Sequence, residues 1–192
     1  MKIHYNSPVI LTYALICAVV LFLDRTIFGE TLILSAFSIG GDMSLTNPLT
    51  YFRMFSHTIG HGDWNHLLGN FSIILLIGPI LEEKYGSRDT LFMMLVTAFI
   101  TAVLQLTLFS EGLLGASGIA FMLILLSSFT NVSHGKIPLT FILVAVLFIG
   151  REVAESIKAD NISQFAHIIG GVCGAAFGYW SGGLQKKGTT RV

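Results

Sequence analysis

Apolar and polar positions alternate on a long wavelength in this chain: long apolar runs are separated by short polar clusters. A helix needs about 20 apolar residues to cross the ~30 Å hydrocarbon layer of a bilayer. The pattern predicts six spans, at about 9–28, 64–81, 90–108, 115–130, 138–150 and 162–180. Polar punctuation marks their ends: Asp24-Arg25, Glu82-Glu83-Lys84, Gly86-Ser87-Arg88-Asp89, Asn131 to Lys136, Glu152 to Ser163, and a basic tail from Gln185 to Arg191.

Two stretches depart from a plain bundle. The connection from Gly29 to Asp63 is too apolar for a solvated loop, with Leu32-Ile33-Leu34, Phe37 and Tyr51-Phe52-Arg53-Met54-Phe55 along it. Irregular backbone of that kind belongs at the interface or sunk against protein. The fourth run, Gly115 to Thr130, covers only about 24 Å at 1.5 Å per residue. One of its ends must lie below the membrane surface, and the polar far end (Asn131, Ser133, His134, Lys136) leaves the glycine end as the recessed one. The expected fold class is an all-α polytopic membrane protein: a bundle of six transmembrane helices with a partly embedded first loop and a short, recessed fourth helix. It forms a single membrane domain over 1–192, with no soluble domain and no internal repeat.

Composition agrees. Of 192 residues 53% are apolar and only 11% charged, whereas a soluble domain carries about 25% charged residues; mean hydropathy is +0.76. The net charge of zero gives no electrostatic case for nucleic acid. Cys17 and Cys173 both lie inside apolar runs and read as packing residues. The N-terminal run lacks a small-residue cleavage site leading into a soluble domain and reads as a retained first span. With an even number of spans both termini share one side. If that side is cytoplasmic, it holds Lys2, Lys84, Arg88, Lys136, Lys186, Lys187 and Arg191, against Arg25, Arg53, Arg151 and Lys158 outside. This agrees with the positive-inside rule, placing the protein in the cell (inner) membrane with both termini cytoplasmic.

The same topology starts spans 2, 4 and 6 at the outer face, so polar residues early in each share one depth. There are three such groups: His66 and Asn70 four apart on span 2, Ser117 at the recessed start of span 4, and His167 on span 6. Each has a bland reading, as an interfacial histidine, a helix–helix hydrogen bond, a packing serine or a satisfied core histidine. Their coincidence at one depth is harder to obtain by packing, because strongly polar groups inside a membrane are expensive. Ala166, Gly170, Gly174 and Gly178 recur every four residues on span 6, a small-residue face that lets span 4 approach closely. A serine hydroxyl needs a base, usually histidine. No carboxylate lies deep in a span to orient that base, so the expected unit is a Ser117–His167 dyad without a third member. Donors for an oxyanion are available from the Ser117 N–H, Asn70 and His66, and Gly115 and Gly118 let the backbone turn and a scissile carbonyl approach. Nucleophile, base and donors together point to acyl transfer.

These residues resemble the rhomboid family of intramembrane serine proteases, in its minimal six-helix bacterial form. The family's GxSG appears as Gly115-Ala116-Ser117-Gly118, HxxxN as His66 to Asn70, AHxxGxxxG as Ala166 to Gly174 with Gly170 between, and GxxxExxxG as Gly78 to Gly86 around Glu82. The aromatic–Arg pair of the first loop is matched by Phe52-Arg53 and a loop histidine by His61. The resemblance implies Ser117 as nucleophile and His167 as general base, with an oxyanion site near His66 and Asn70. Arg53, His61, Glu82, Phe121, Gly170 and Gly174 are implied in support. It further implies a site open to the outer, periplasmic side, a structured first-loop hairpin, a mobile cap before span 6, and transmembrane segments of other proteins, within the lipid bilayer, as substrates. No cofactor and no metal are called for. This chain departs from the family in having Phe52 where Trp is usual and Phe121 where Tyr is usual; the ring stays and the hydroxyl is lost.

Three other readings compete; one, a catalytically dead relative that binds transmembrane clients, would lack the serine or the histidine, and both Ser117 and His167 are present. His57, His61 and His66, with Asp63, crowd a short stretch as metal ligands do, but a metal site there leaves Ser117 and His167 without a role. Six spans with buried histidines also fit a small transporter, but transporters usually show internal repeats.

Overall fold

The computed structural model describes residues 4–40, 43–44, 46–128, 139–140, 142–143, 146–147 and 161–188, with side chains in the last segment over 165–180. The described chain is helical, and its strand-like pairing is one isolated antiparallel bridge between Ile39 and Leu113. The helices are α1 (Pro8–Thr26), α2 (Leu32–Ala36), α3 (Pro48–Ser56), α4 (Trp64–Tyr85), α5 (Ser87–Leu108), α6 (Ser117–Ser128) and α7 (Asn161–Gly188). Three of them, α1, α4 and α5, are long and apolar enough to cross a membrane; α6 and residues 165–180 of α7 form shorter apolar helices. The expected fifth span, 138–150, and the cap loop before the sixth fall largely or wholly outside the described residues.

The first connection differs from the expectation of irregular backbone, because it contains α2 and α3. Local signals explain both. Asn47 caps α3 through its side chain, accepting from the Leu49 N–H at 3.0 Å, and Pro48 follows at the first helical position, where a missing N–H costs nothing. Asp24, buried near the end of α1, accepts from the Ile33 N–H in α2 at 2.9 Å. Arg53 then joins the two short helices: its Nε donates to the Ser38 carbonyl at 2.6 Å and its terminal nitrogen to the Leu34 carbonyl at 3.0 Å. Ser56 adds a bond to the Ala36 carbonyl at 2.6 Å.

α4 continues past the expected end at Leu81 and past Pro79 to Tyr85, stopping at Gly86, whose φ of 84° is in the left-handed region that glycine tolerates. The extra turn carries Glu82 into the interior. Its two carboxylate oxygens accept from the Val9 and Ile10 N–H groups, each at 3.0 Å, and Ser87 Oγ donates to it at 2.7 Å. The first turn of α1 has no side-chain cap of its own, so a distant carboxylate satisfies its open donors and meets the positive end of its dipole. One buried charge thereby fixes α1, α4 and the start of α5.

The centre of the bundle is α6, in which Ile119, Ala120, Met122, Leu123, Leu125 and Leu126 are all buried. It packs against α4, α5 and most extensively α7. The α6–α7 contact is backbone on backbone. A Cβ on Gly170 would lie 2.0 Å from the Gly118 carbonyl oxygen, and one on Gly174 would lie 2.2 Å from that of Met122. Small residues at this period bring helices together where the surroundings offer no hydrophobic drive to associate.

We expect Glu82→Ala to strand two helix N–H donors and cost about 1–2 kcal/mol, seen as a lower thermal unfolding midpoint in detergent micelles. An unchanged midpoint would show that the carboxylate does not hold α1.

Candidate active site

The site begins with the turn into α6. Gly115 has φ +118°, a conformation open to glycine, and a Cβ there would lie 2.7–2.8 Å from the His66 ring and 3.8 Å from Asn70 Nδ2. The turn is therefore seated directly on the two polar residues of α4. Its own donors are taken by the first connection: the Gly115 N–H donates to the His57 carbonyl at 2.9 Å and the Ala116 N–H to His61 Nε2 at 3.4 Å. Upstream, Ile39 and Leu113 exchange backbone bonds of 2.9 and 2.6 Å, and Gln105 Nε2 holds the Glu111 carbonyl at 2.9 Å.

Ser117 is the first residue of α6 and is half-buried. The first backbone bond of this helix runs from the Ala120 N–H to the Ala116 carbonyl, at 2.9 Å. The N–H groups of Ser117, Gly118 and Ile119 precede it and have no intrahelical acceptor. Ser117 Oγ makes no hydrogen bond among the described residues. His167, half-buried on α7, faces the same turn. Its neighbour Ala166 has its carbonyl 3.4 Å from where a Gly118 Cβ would be, and Gly170, three residues on, lies against Gly118 itself. Phe121, one turn below Ser117, packs its ring 4.4 Å from the His167 ring at 43°. His66 lies within electrostatic range of His167. Catalytic hydrogen bonds are often loose without substrate, so juxtaposition of the two helices is the relevant geometry.

The structure thus gathers Gly115, Ser117, Gly118, His66, Asn70, Phe121, His167 and Gly170. Asn70 Nδ2, buried beside the serine turn, has no hydrogen-bond partner among the described residues. The other named residues sit elsewhere. Arg53 pins α2 to α3, Glu82 lies about 18 Å along α4 from Asn70, and Gly174 packs against Met122. His61 is behind the site: its ring lies 5.0 Å from that of His66, Nδ1 is bonded to the Ile59 carbonyl at 3.0 Å, and Nε2 accepts from Ala116. With His57 Nδ1 on the Arg53 carbonyl at 3.2 Å, these histidines hold backbone. Among the described residues no group of three His, Cys, Asp or Glu is gathered to hold a metal.

Sequence reasoning passed over one feature. Thr97, Thr101 and Gln105 are all buried on α5, four residues apart. Thr97 and Thr101 line a void of about 10 Å³ behind Gly115 and Gly118, large enough for a single water. The signal was present as a polar residue at every fourth position of an apolar span.

A polar cluster at the recessed start of a central helix, inside an apolar helical bundle, defines a membrane-embedded protein with a buried site. Residues 48–183 match the Rhomboid domain family model, and the chain belongs to the rhomboid family. It is 30% identical over 141 residues to Rhomboid-related protein 1 of Caenorhabditis elegans, covering 67% of this chain and 39% of that protein. It is 24% identical over 139 residues to Rhomboid protease GlpG of Haemophilus influenzae, covering 71% of this chain and 72% of that one. The chain thus spans well under half of the first relative.

Burial pushes the pKa of His57 and of His61, both outside the spanning helices, down to about 4. His61 is accordingly neutral at pH 7 and can accept from Ala116. Unfolded histidine titrates near 6.5, so between pH 6.5 and 4 the unfolded chain binds protons that the native one does not. Stability is therefore full above pH 6.5 and falls as pH drops through that window, by up to about 3 kcal/mol per histidine. Unfolding in micelles should show this slope, and His61→Gln should reduce it; an equal slope in the variant would remove His61 as its source.

Proposed function

We propose that this protein is an intramembrane serine endopeptidase that cleaves transmembrane segments of other membrane proteins. The observation that carries the reading is the seating of the Gly115–Gly118 turn, with His66 and Asn70 on one side and the His167 helix on the other. Membership of the rhomboid family supports it, as does the similarity to Rhomboid protease GlpG of Haemophilus influenzae.

In this reading His167 takes the proton from Ser117 Oγ as the oxygen bonds to the scissile carbonyl carbon. The carbonyl oxygen becomes an oxyanion held by the Ser117 N–H, Asn70 Nδ2 and His66. Collapse of this intermediate breaks the C–N bond, and His167 delivers its proton to the leaving amine. A water then attacks the acyl-enzyme ester; His167 takes the water's proton and returns one to Ser117 Oγ, releasing the carboxylic acid. Phe121 keeps the imidazole stacked without adding a hydroxyl. No cofactor enters this scheme. The protein acts as a single membrane domain in the inner membrane, with both termini cytoplasmic and the site open to the outer face.

Purified protein in detergent should cleave a single-span model substrate, and Ser117→Ala and His167→Ala should each abolish cleavage while leaving the unfolding midpoint in place. A fluorophosphonate should label the wild type and not Ser117→Ala. Cleavage persisting in pure Ser117→Ala would sink the assignment. For Asn70→Ala the loss should fall on kcat, by up to ~10²–10³-fold, as for a single oxyanion donor; an effect confined to KM would give Asn70 a binding role instead.

A further inference from the structure

An apolar groove of about 490 Å³ opens between α1, α3 and α5, away from Ser117. Thr12 and Ile16 form one wall, Phe52 and Phe55 the roof, and Leu91 and Leu95 the other wall. Its floor reaches Ile119, two residues beyond Ser117. All six wall and roof side chains are exposed, so nothing in the described chain fills the space.

The shape limits the occupant. The groove extends along α1 from Pro8 to Ile16, about 12 Å at 1.5 Å per residue. Apolar walls on three sides over this length suit an extended hydrocarbon chain. The groove lies in the half of the bundle that holds the start of α1 and the α4–α5 turn, as the Glu82 contact to Val9 and Ile10 requires.

Arg88 stands three residues before Leu91 and seven before Leu95, on the same face of α5, and is exposed. Among the described residues it makes no ion pair or hydrogen bond. Asp89 is the next residue round the helix and points about 100° away; the nearby Glu82 is consumed by α1. At the same end a hydroxyl pair, Tyr5 Oη with Thr12 Oγ1 at 3.0 Å, borders the apolar wall.

We propose that this groove binds a phospholipid from the leaflet beside the α4–α5 turn, with one acyl chain between α1, α3 and α5 and the phosphate on Arg88. Arg88 supplies charge complementarity to the phosphate, and the apolar walls supply the chain site. Because Phe52 and Phe55 roof the groove and Ile119 floors it, the bound chain braces α3 against the helix that carries Ser117.

The test is native mass spectrometry of delipidated protein titrated with dioleoylphosphatidylglycerol and, separately, dioleoylglycerol, which lacks the phosphate. The phosphatidylglycerol should form a one-to-one complex that Arg88→Gln weakens about fivefold, the worth of one basic residue at a lipid surface. Thr12→Trp, at an exposed wall position, should weaken both lipids, whereas Arg88→Gln should leave the dioleoylglycerol unaffected. Leu95→Trp serves the same purpose if Thr12→Trp lowers the unfolding midpoint. Phosphatidylglycerol binding unchanged by Arg88→Gln, or by groove filling, overturns the proposal. Crosslinking of a substrate's transmembrane helix into the groove at Leu95 overturns it as well.

Discussion

A helix that begins inside a packed bundle exposes N–H groups there, and each must be satisfied or left open at a cost of about 1–3 kcal/mol. Much of this structure answers that constraint at the start of α6. The two donors just before Ser117 are taken by the His57 carbonyl and by His61 Nε2. Both acceptors come from the first connection, which explains why that connection is ordered and apolar. Its short helices exist to hold a carbonyl and an imidazole against one turn. The low pKa of His61 belongs to the same arrangement: a protonated ring could not accept from Ala116.

Four of the other helix starts are built differently from α6, while α5, which follows Gly86, also lacks a side-chain cap. Oxygen-bearing side chains cap those four: Glu82 for α1, Asp24 for α2, Asn47 for α3 and Asp63 for α4. Two of these are carboxylates drawn into the interior, Asp24 and Glu82, each almost wholly buried. At α6 the first helical residue is Ser117 itself, and Gly115 occupies the turn ahead of it. An Asp or Asn in that turn would stabilise the helix by folding its oxygen over the free N–H groups, and it would fill the space in front of them. Gly115 forgoes that stabilisation, and its missing Cβ also admits the His66 ring.

The sequence was informative where chemistry and period coincide. The glycine stripe on α7 was readable as a close-approach face, and Gly170 and Gly174 do meet backbone oxygens of α6. The placement of Ser117, His66, Asn70 and His167 at one depth followed from run lengths and an even span count. The structure sets all four on adjoining elements. The division of labour among the three clustered histidines was not readable, because the same i, i+4 spacing serves metal ligands and backbone holders alike. Only the fold shows that His57 contributes its carbonyl. Only the family resemblance pointed to Glu82: a charged cluster after an apolar run looks like solvated punctuation, and what it does depends on the start of α1, more than seventy positions away. The Thr97–Thr101–Gln105 stripe was visible in principle and lost because threonine is too mild to interrupt an apolar average.

Phe121 brings these threads together. It packs on the imidazole at 4.4 Å and sits one turn below Ser117, on the face of α6 that Gly170 and Gly174 bring against α7. A ring in that position restricts the rotation of His167 whether or not it carries a hydroxyl. Packing against Phe121 restricts the orientation of the imidazole. The tight α6–α7 glycine contact makes this possible, since a helix separation set by backbone oxygens leaves the ring pair little room to shift. The restriction comes from an aromatic face and two missing Cβ atoms, neither of which brings a charge into the bundle.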